Sequence, residues 1–140
     1  MVSSSAHAAA AAGGIEAVIG VAQEPVFGPV ILFGLGSVSY QILDDRIARL
    51  SPLTDSDADE MIGSVRGSEV LTGHRGLSGV DTAGLADLLL RVSRLADDLP
   101  DVAELELYPV SATPQQILVM DFKIRLSATA PRDPFLRRLR

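Results

Sequence analysis

Apolar side chains in this chain follow two different periods, and the change of period divides it into strands, then helices, then strands again. Ile15 to Gln23 alternates in a strand-like way until Glu24-Pro25 ends it, and Pro29 opens a second strand, Val30 to Gly34. Ser37 to Leu43 and Arg46 to Leu50 read as two more short extended pieces that turn at Asp44-Asp45. From Pro52 the spacing becomes helical. Thr54 stands where an N-cap belongs, and acidic residues crowd the first turn, where the helix dipole favours them. A helix is predicted over Asp55 to Val65, stopped by Arg66-Gly67. A stronger helix follows its cap at Asp81: Leu85, Leu88, Leu89, Val92, Leu95, Ala96 and Leu99 form one apolar stripe before Pro100. Gly84 inside it costs about 1 kcal/mol relative to alanine, which burial of the stripe offsets. Between the helices, Gly67 to Val80 predicts a loop with one helical turn at most.

After Pro100 the period returns to two. Ala103, Leu105 and Leu107 share one face of a strand and Glu104, Glu106 and Tyr108 the other. Pro109 to Gln116 reads as a connecting loop and Ile117 to Leu126 as a last strand. Its apolar face carries Leu118, Met120, Phe122, Ile124 and Leu126, and its opposite face Asp121, Lys123 and Arg125. Strands, two helices, then strands predict an α+β fold: a largely antiparallel sheet with two main helices packed on it. The 140 residues suffice for one domain, divided into a poorly ordered lead-in (1–13), a folded body (14–128) and a basic tail (129–140). The uncharged run Val26 to Leu43 matches the shortest membrane span in length. Gly28, Pro29, Gly34, Gly36 and Ser37 interrupt it, so it reads as buried strands with turns and not as a membrane helix.

Charge narrows the choice of partners. Residues 1–121 carry six basic and seventeen acidic side chains, net −11, and residues 122–140 carry six basic and one acidic, net +5. A body this acidic repels nucleic acid and anionic membrane. The tail Arg132 to Arg140 is basic and partly apolar, too short for a stable helix or a membrane anchor on its own, and reads as solvated or folded back on the acidic body. No cysteine is present, and His7 and His74 are isolated, which excludes a disulfide framework, a thiolate nucleophile and a cysteine or histidine-rich zinc site. A reducing cytoplasm fits that composition.

Two patterns carry candidate chemistry. If the last two strands pair, Glu106 and Asp121 project from one face, a plausible Mg²⁺ site because magnesium takes hard carboxylate, phosphate and water oxygens. The ordinary alternative is a solvated face on which Glu104 or Glu106 pairs with Lys123 or Arg125 for a few tenths of a kcal/mol. Phe33-Gly34-Leu35-Gly36-Ser37 is a glycine-containing turn after a strand, of the kind that brings backbone N–H groups to a phosphate. It lacks the spacing of a Walker loop or dinucleotide fingerprint, and a tight turn between buried strands is the favoured reading of the glycines. The candidate cofactor-binding residues are therefore Gly34, Gly36, Ser37 and Lys123, and the candidate metal ligands Glu106 and Asp121.

Several segments together resemble one family. Gly14 to Val21, Glu24-Pro25-Val26-Phe27-Gly28-Pro29-Val30 and Phe33-Gly34-Leu35-Gly36 are similar to the ATP-grasp domain of NDP-forming acyl-CoA synthetases, including copies fused to GNAT-type acetyltransferases. Leu50 to Asp55, Arg75-Gly76, Leu88 to Leu95, Ala103 to Leu107 and Asp121 with Ile124-Arg125-Leu126 continue the resemblance in the family's order, and Pro131 to Arg140 resembles the tail of fused versions. The resemblance implies ATP-dependent chemistry on acyl-CoA thioesters, with Mg-ATP clamped between two subdomains, of which this chain resembles the later, core-sheet part. A partner is then expected to supply the preceding ATP-grasp subdomain and the CoA-binding and CoA-ligase domains. Departures fall at nucleotide-facing positions. The family's Glu-Leu-Asp-Leu-Asn-Pro, with its metal-binding asparagine, reads Glu104-Leu105-Glu106-Leu107-Tyr108-Pro109 here. A Gly-Gly pair has become Gly36-Ser37, and Gln41 replaces a usual glutamate. The expectation is at most weak Mg-ATP binding and no catalysis alone, against a non-catalytic interaction or regulatory module or a decayed fragment.

Overall fold

Alternation along the strands and a helical stripe between them produce the layers of the structure. The computed structural model describes residues 14–36, 45–73 and 79–127. The lead-in, the extended piece predicted over Ser37–Leu43, the loop with His74 and the basic tail lie outside the described residues. In chain order the elements are β1 (Ile15–Glu24), β2 (Gly28–Leu35), β3 (Arg46–Leu50), α1 (Asp55–Ser64), α2 (Ser68–Thr72), α3 (Thr82–Asp98), β4 (Val102–Ala112), β5 (Ile117–Val119) and β6 (Phe122–Leu126). The sheet runs β3-β2-β1-β4, with β5 and β6 both paired to β4, and every pairing is antiparallel. The α+β expectation with a largely antiparallel sheet holds.

Helix ends follow their caps. Thr54 Oγ1 accepts the Asp57 N–H at 3.1 Å while Asp57 Oδ2 accepts the Thr54 N–H at 2.9 Å, a reciprocal capping box at the start of α1. Asp81 Oδ1 accepts the Gly84 N–H at 2.9 Å, and a Cβ on Gly84 would run into that carboxylate, which accounts for a glycine in the first turn of α3. Leu85, Leu89, Val92 and Ala96 are buried against the sheet, and Leu88 and Leu95 are partly buried beside them. Leu99 departs from the predicted stripe: α3 ends at Asp98, so the helical phase no longer carries Leu99 inward, and its side chain is 51% exposed. Ser93 takes a buried place in the stripe instead. Its Oγ accepts the Leu53 N–H at 2.8 Å and lies 3.0 Å from Ser51 Oγ, tying the segment before α1 to α3.

On the sheet, Ala17, Ile19 and Val21 of β1 join Ile31 and Phe33 of β2 and Leu105, Leu107 and Val110 of β4 in the core beneath the helices. Strand β4 continues four residues beyond the predicted end. Ala17 is opposite Val110 and Ile19 opposite Leu107, so three steps on β4 match two on β1, and the extra residue forms a bulge at Tyr108-Pro109. The bulge moves the apolar positions from 105 and 107 to 110 and 112, a break in period that reads as a loop in the sequence. The partner strand breaks opposite it. Ile117–Leu126 is two strands, because Met120 N–H donates to Pro109 O at 2.9 Å and Tyr108 N–H to Asp121 O at 3.1 Å. The break also reverses faces: Leu118 is opposite Ser111 on the side away from the helices, whereas Phe122 and Ile124 are opposite Leu107 and Leu105 on the helix side. The single apolar face predicted for this segment is therefore divided between the two sides.

Candidate functional site

The side of the sheet away from the helices bears a shallow hollow of 430 Å³, within the usual range for small-ligand sites. Its floor is Val18, Gly20 and Ala22 of β1 with Val30 and Leu32 of β2, and its wall is Glu104 and Glu106 of β4 with Lys123 and Arg125 of β6. Alternation places these residues: on β1, β2 and β4 each lies one step from a residue that enters the core, whereas every residue of β6 is exposed. Gly20 is directly opposite Glu106, and a Cβ there would lie 3.3 Å from Leu105 O, so glycine keeps the floor open beside the carboxylate.

The four charged side chains divide into two pairs by register, and the pairs differ. Arg125 Nη2 and Glu104 Oε1 form an ion pair at 3.1 Å. The hydrogen bond from Arg125, and then its positive charge, hold the Glu104 carboxyl below the ordinary range. Glu106 is opposite Lys123, yet among the described residues neither enters an ion pair within 4.0 Å. One carboxylate and one ammonium therefore remain available over an apolar floor.

The other candidate residues are distributed elsewhere. Asp121 occupies the break between β5 and β6, exposed, with Oδ1 accepting the Phe122 N–H at 2.8 Å, and it does not line the hollow. Among the described residues no group of three or more His, Asp or Glu side chains is gathered to hold a metal ion. Glu106 and Asp121 are each of the hard-oxygen type that Mg²⁺ takes, and Mg²⁺ commonly completes its shell with phosphate and water oxygens. Gly34 and Gly36 lie toward the far end of β2. Gly34 is required by packing: a Cβ would meet Arg46 Cγ at 2.7 Å and Val18 Cγ1 at 3.3 Å. Gly36 has φ +82, and its N–H donates to Glu16 O at 2.9 Å, while the Leu35 N–H donates to Asp45 O at 3.2 Å. The amides of Leu35 and Gly36 are thus both engaged by backbone. Ser37 lies outside the described residues. Sequence reasoning missed the floor, although its trace is visible as the small alternate residues Val18, Gly20 and Ala22. It also missed Asp45, whose carboxylate accepts the N–H groups of Arg66 and Gly67 and fastens the turn after α1 to the edge of the sheet.

An antiparallel sheet covered by helices on one face, with an apolar, charge-walled hollow on the other, defines an α+β domain with one open face. The sequence profile of the ATP-grasp domain matches residues 3–126, and the chain belongs to that family. It is 41% identical over 114 residues to acetate–CoA ligase (ADP-forming) I of Archaeoglobus fulgidus, covering 81% of this chain and 17% of the relative. It is 35% identical over 113 residues to the beta subunit of the Pyrococcus furiosus acetate–CoA ligase (ADP-forming) I, covering 81% of this chain and 49% of that subunit. Among solved structures, the dinucleotide-forming acetyl-coenzyme A synthetase 1 of Ca. Korarchaeum cryptofilum, in complex with coenzyme A and Mg-AMPPCP, superposes with a TM-score of 0.77 at 40% identity, covering 81% of this chain and 53% of that one. The chain thus spans half or less of the curated relatives it matches. No helix among the described residues is long and apolar enough to cross a membrane.

Proposed function

We propose that this chain is the nucleotide-facing sheet of an ADP-forming acyl-CoA synthetase-type ATP-grasp domain, that it takes Mg-ATP weakly in the open hollow, and that it does not catalyse alone. The observation that carries the reading is the available pair Glu106 and Lys123 over the floor of Val18, Gly20 and Leu32. Lys123 offers its ammonium to phosphate oxygens and Glu106 a carboxylate to the magnesium that accompanies them, with Asp121 as the second carboxylate at the strand break. Bound Mg²⁺ would supply charge neutralisation at the phosphates. Tyr108 gives a poorer oxygen than the family's asparagine, and Gly36 offers no free amide, which supports weak binding without turnover. The proposed partner is a cytoplasmic protein supplying the remaining ATP-grasp and CoA-ligase domains; a beta subunit among the relatives supports that division of labour.

Calorimetric titration with Mg-ATP and Mg-ADP tests the reading. Heat of binding in the millimolar range, removed by Glu106→Gln or Lys123→Ala in a chain that still folds, is the expected result; no heat from the native chain overturns it. One observation favours a second reading, an interaction module without nucleotide: Phe122, Ile124 and Leu126 are all exposed along β6. A stable complex isolated from native extract that survives alanine at both Glu106 and Asp121 would support that module.

A further inference from the structure

Exposed apolar side chains collect at one end of the sheet, remote from the strand-end glycines Gly34 and Gly36. The turn between β1 and β2 presents Val26, 83% exposed, and Phe27, 68% exposed, and the exposed Leu50, Leu99 and Leu126 close β3, α3 and β6 at the same end. Between them lies a second hollow, of 710 Å³, whose lining includes Val26, Phe27 and Pro100. Among the described residues its charged side chains are Glu24 and Asp97, and no basic group lines it. A hollow lined by apolar and polar side chains alike, whose described charges are both carboxylates, suits an occupant that carries apolar side chains together with cations.

The chain carries such a segment next to the hollow. Ser127 lines it, and the Ser127 N–H donates to Asp101 O at 2.8 Å, so residues 128–140 begin at its lip. They contain Phe135, Leu136 and Leu139 interspersed with Arg132, Arg137, Arg138 and Arg140, and a single acid, Asp133. Thirteen residues reach at most about 45 Å, ample to cross this end of the molecule. A short tether also holds its end at an effective concentration on the order of millimolar, which favours it over an untethered partner of the same chemistry.

We propose that residues 128–140 dock in this hollow, with Phe135 and Leu136 covering Val26 and Phe27 and the arginines meeting Glu24 and Asp97. The docked segment fastens the C-terminal end of β6, an edge strand exposed at every residue and the carrier of Lys123 and Arg125. The proposal does not depend on nucleotide binding. Because the chain has no cysteine, Arg140→Cys gives a single position for a nitroxide label on the full chain. The expected result is that amide NMR signals of Phe27, Gly28, Ser51 and Ala103 lose most of their intensity relative to the reduced label. Leu136→Ser with Arg137→Ser should restore all four, and Phe27→Ser, at an exposed position, those of Gly28, Ser51 and Ala103. Unchanged intensities at those four residues overturn the proposal. Equal losses when nitroxide and ¹⁵N are carried by different molecules also overturn it, by identifying a second copy as the occupant.

Discussion

On β1 the residues turned toward the helices are Ala17, Ile19 and Val21, and those turned away are Val18, Gly20 and Ala22. The two sets alternate on one strand, yet their surroundings differ. The first meets Phe33, Met61, Leu85 and Leu89, all fully buried; the second meets Val30 and Leu32, a wall of charge, and the open hollow. The helix-covered face therefore holds most of the core, while on the other face of β1 Val18 and Gly20 are buried and only Ala22 is exposed. The comparison teaches that the residues that fill the core and those that line the open hollow lie one step apart in sequence.

Neighbouring substitutions on β2 give the largest test. Phe33 is wholly buried under the helices, so Phe33→Ala is expected to cost about 3–5 kcal/mol through lost transfer energy and the cavity left behind. Leu32, the next residue, points into the open hollow and is only partly buried, so Leu32→Ala should cost about 1 kcal/mol. Urea denaturation with unchanged m-values reads both. Equal losses would break the distinction between the faces.

A smaller effect is expected at Ser93. Its hydroxyl is the partner of the buried Leu53 N–H, so Ser93→Ala leaves that donor unsatisfied and should cost about 1–3 kcal/mol, although alanine is the better helix former. A neutral or stabilising result in the same denaturation assay would show that the tie between α3 and the segment before α1 contributes nothing.

Local rules made much of this fold legible. Arg46–Leu50 is a strand at the predicted bounds, and α1 begins at Asp55, directly after Thr54, because the cap and its reciprocal partner Asp57 are both written in sequence. What escaped was non-local. The bulge at Tyr108-Pro109 shifts an apolar period by one residue and has meaning only against β1, so β4 looked shorter than it is and its partner looked continuous. The buried place of Ser93 was not read from the stripe, because its partner is 40 residues away. At the candidate site, Glu106 and Lys123 were legible because alternation on adjacent strands puts them face to face. The displacement of Asp121 was not, since it follows from the strand break opposite the bulge.

The smallest predicted effect concerns the charged wall of the open face, where Glu104 and Arg125 pair in full view of solvent. The hydrogen bond from Arg125 and then its charge lower the Glu104 pKa from 4.5, so the folded chain releases this proton more readily than the unfolded chain does. A lowered pKa in the fold contributes stability above the unfolded value and loses it as pH falls through the folded one, which places the window below about pH 4.5. Asp57 behaves alike from 3.8, through the Thr54 backbone hydrogen bond first, and is independent of Arg125 on that account. Arg125→Ala should therefore flatten only part of the acid loss of the urea midpoint, by less than either substitution above, since exposed pairs contribute little. An acid profile identical to that of the native chain would mean that Glu104 and Arg125 do not hold each other in solution. The open face would then present two available cations and two available carboxylates, and the difference between the closed and the available pair, on which the choice of Glu106 and Lys123 rests, would disappear.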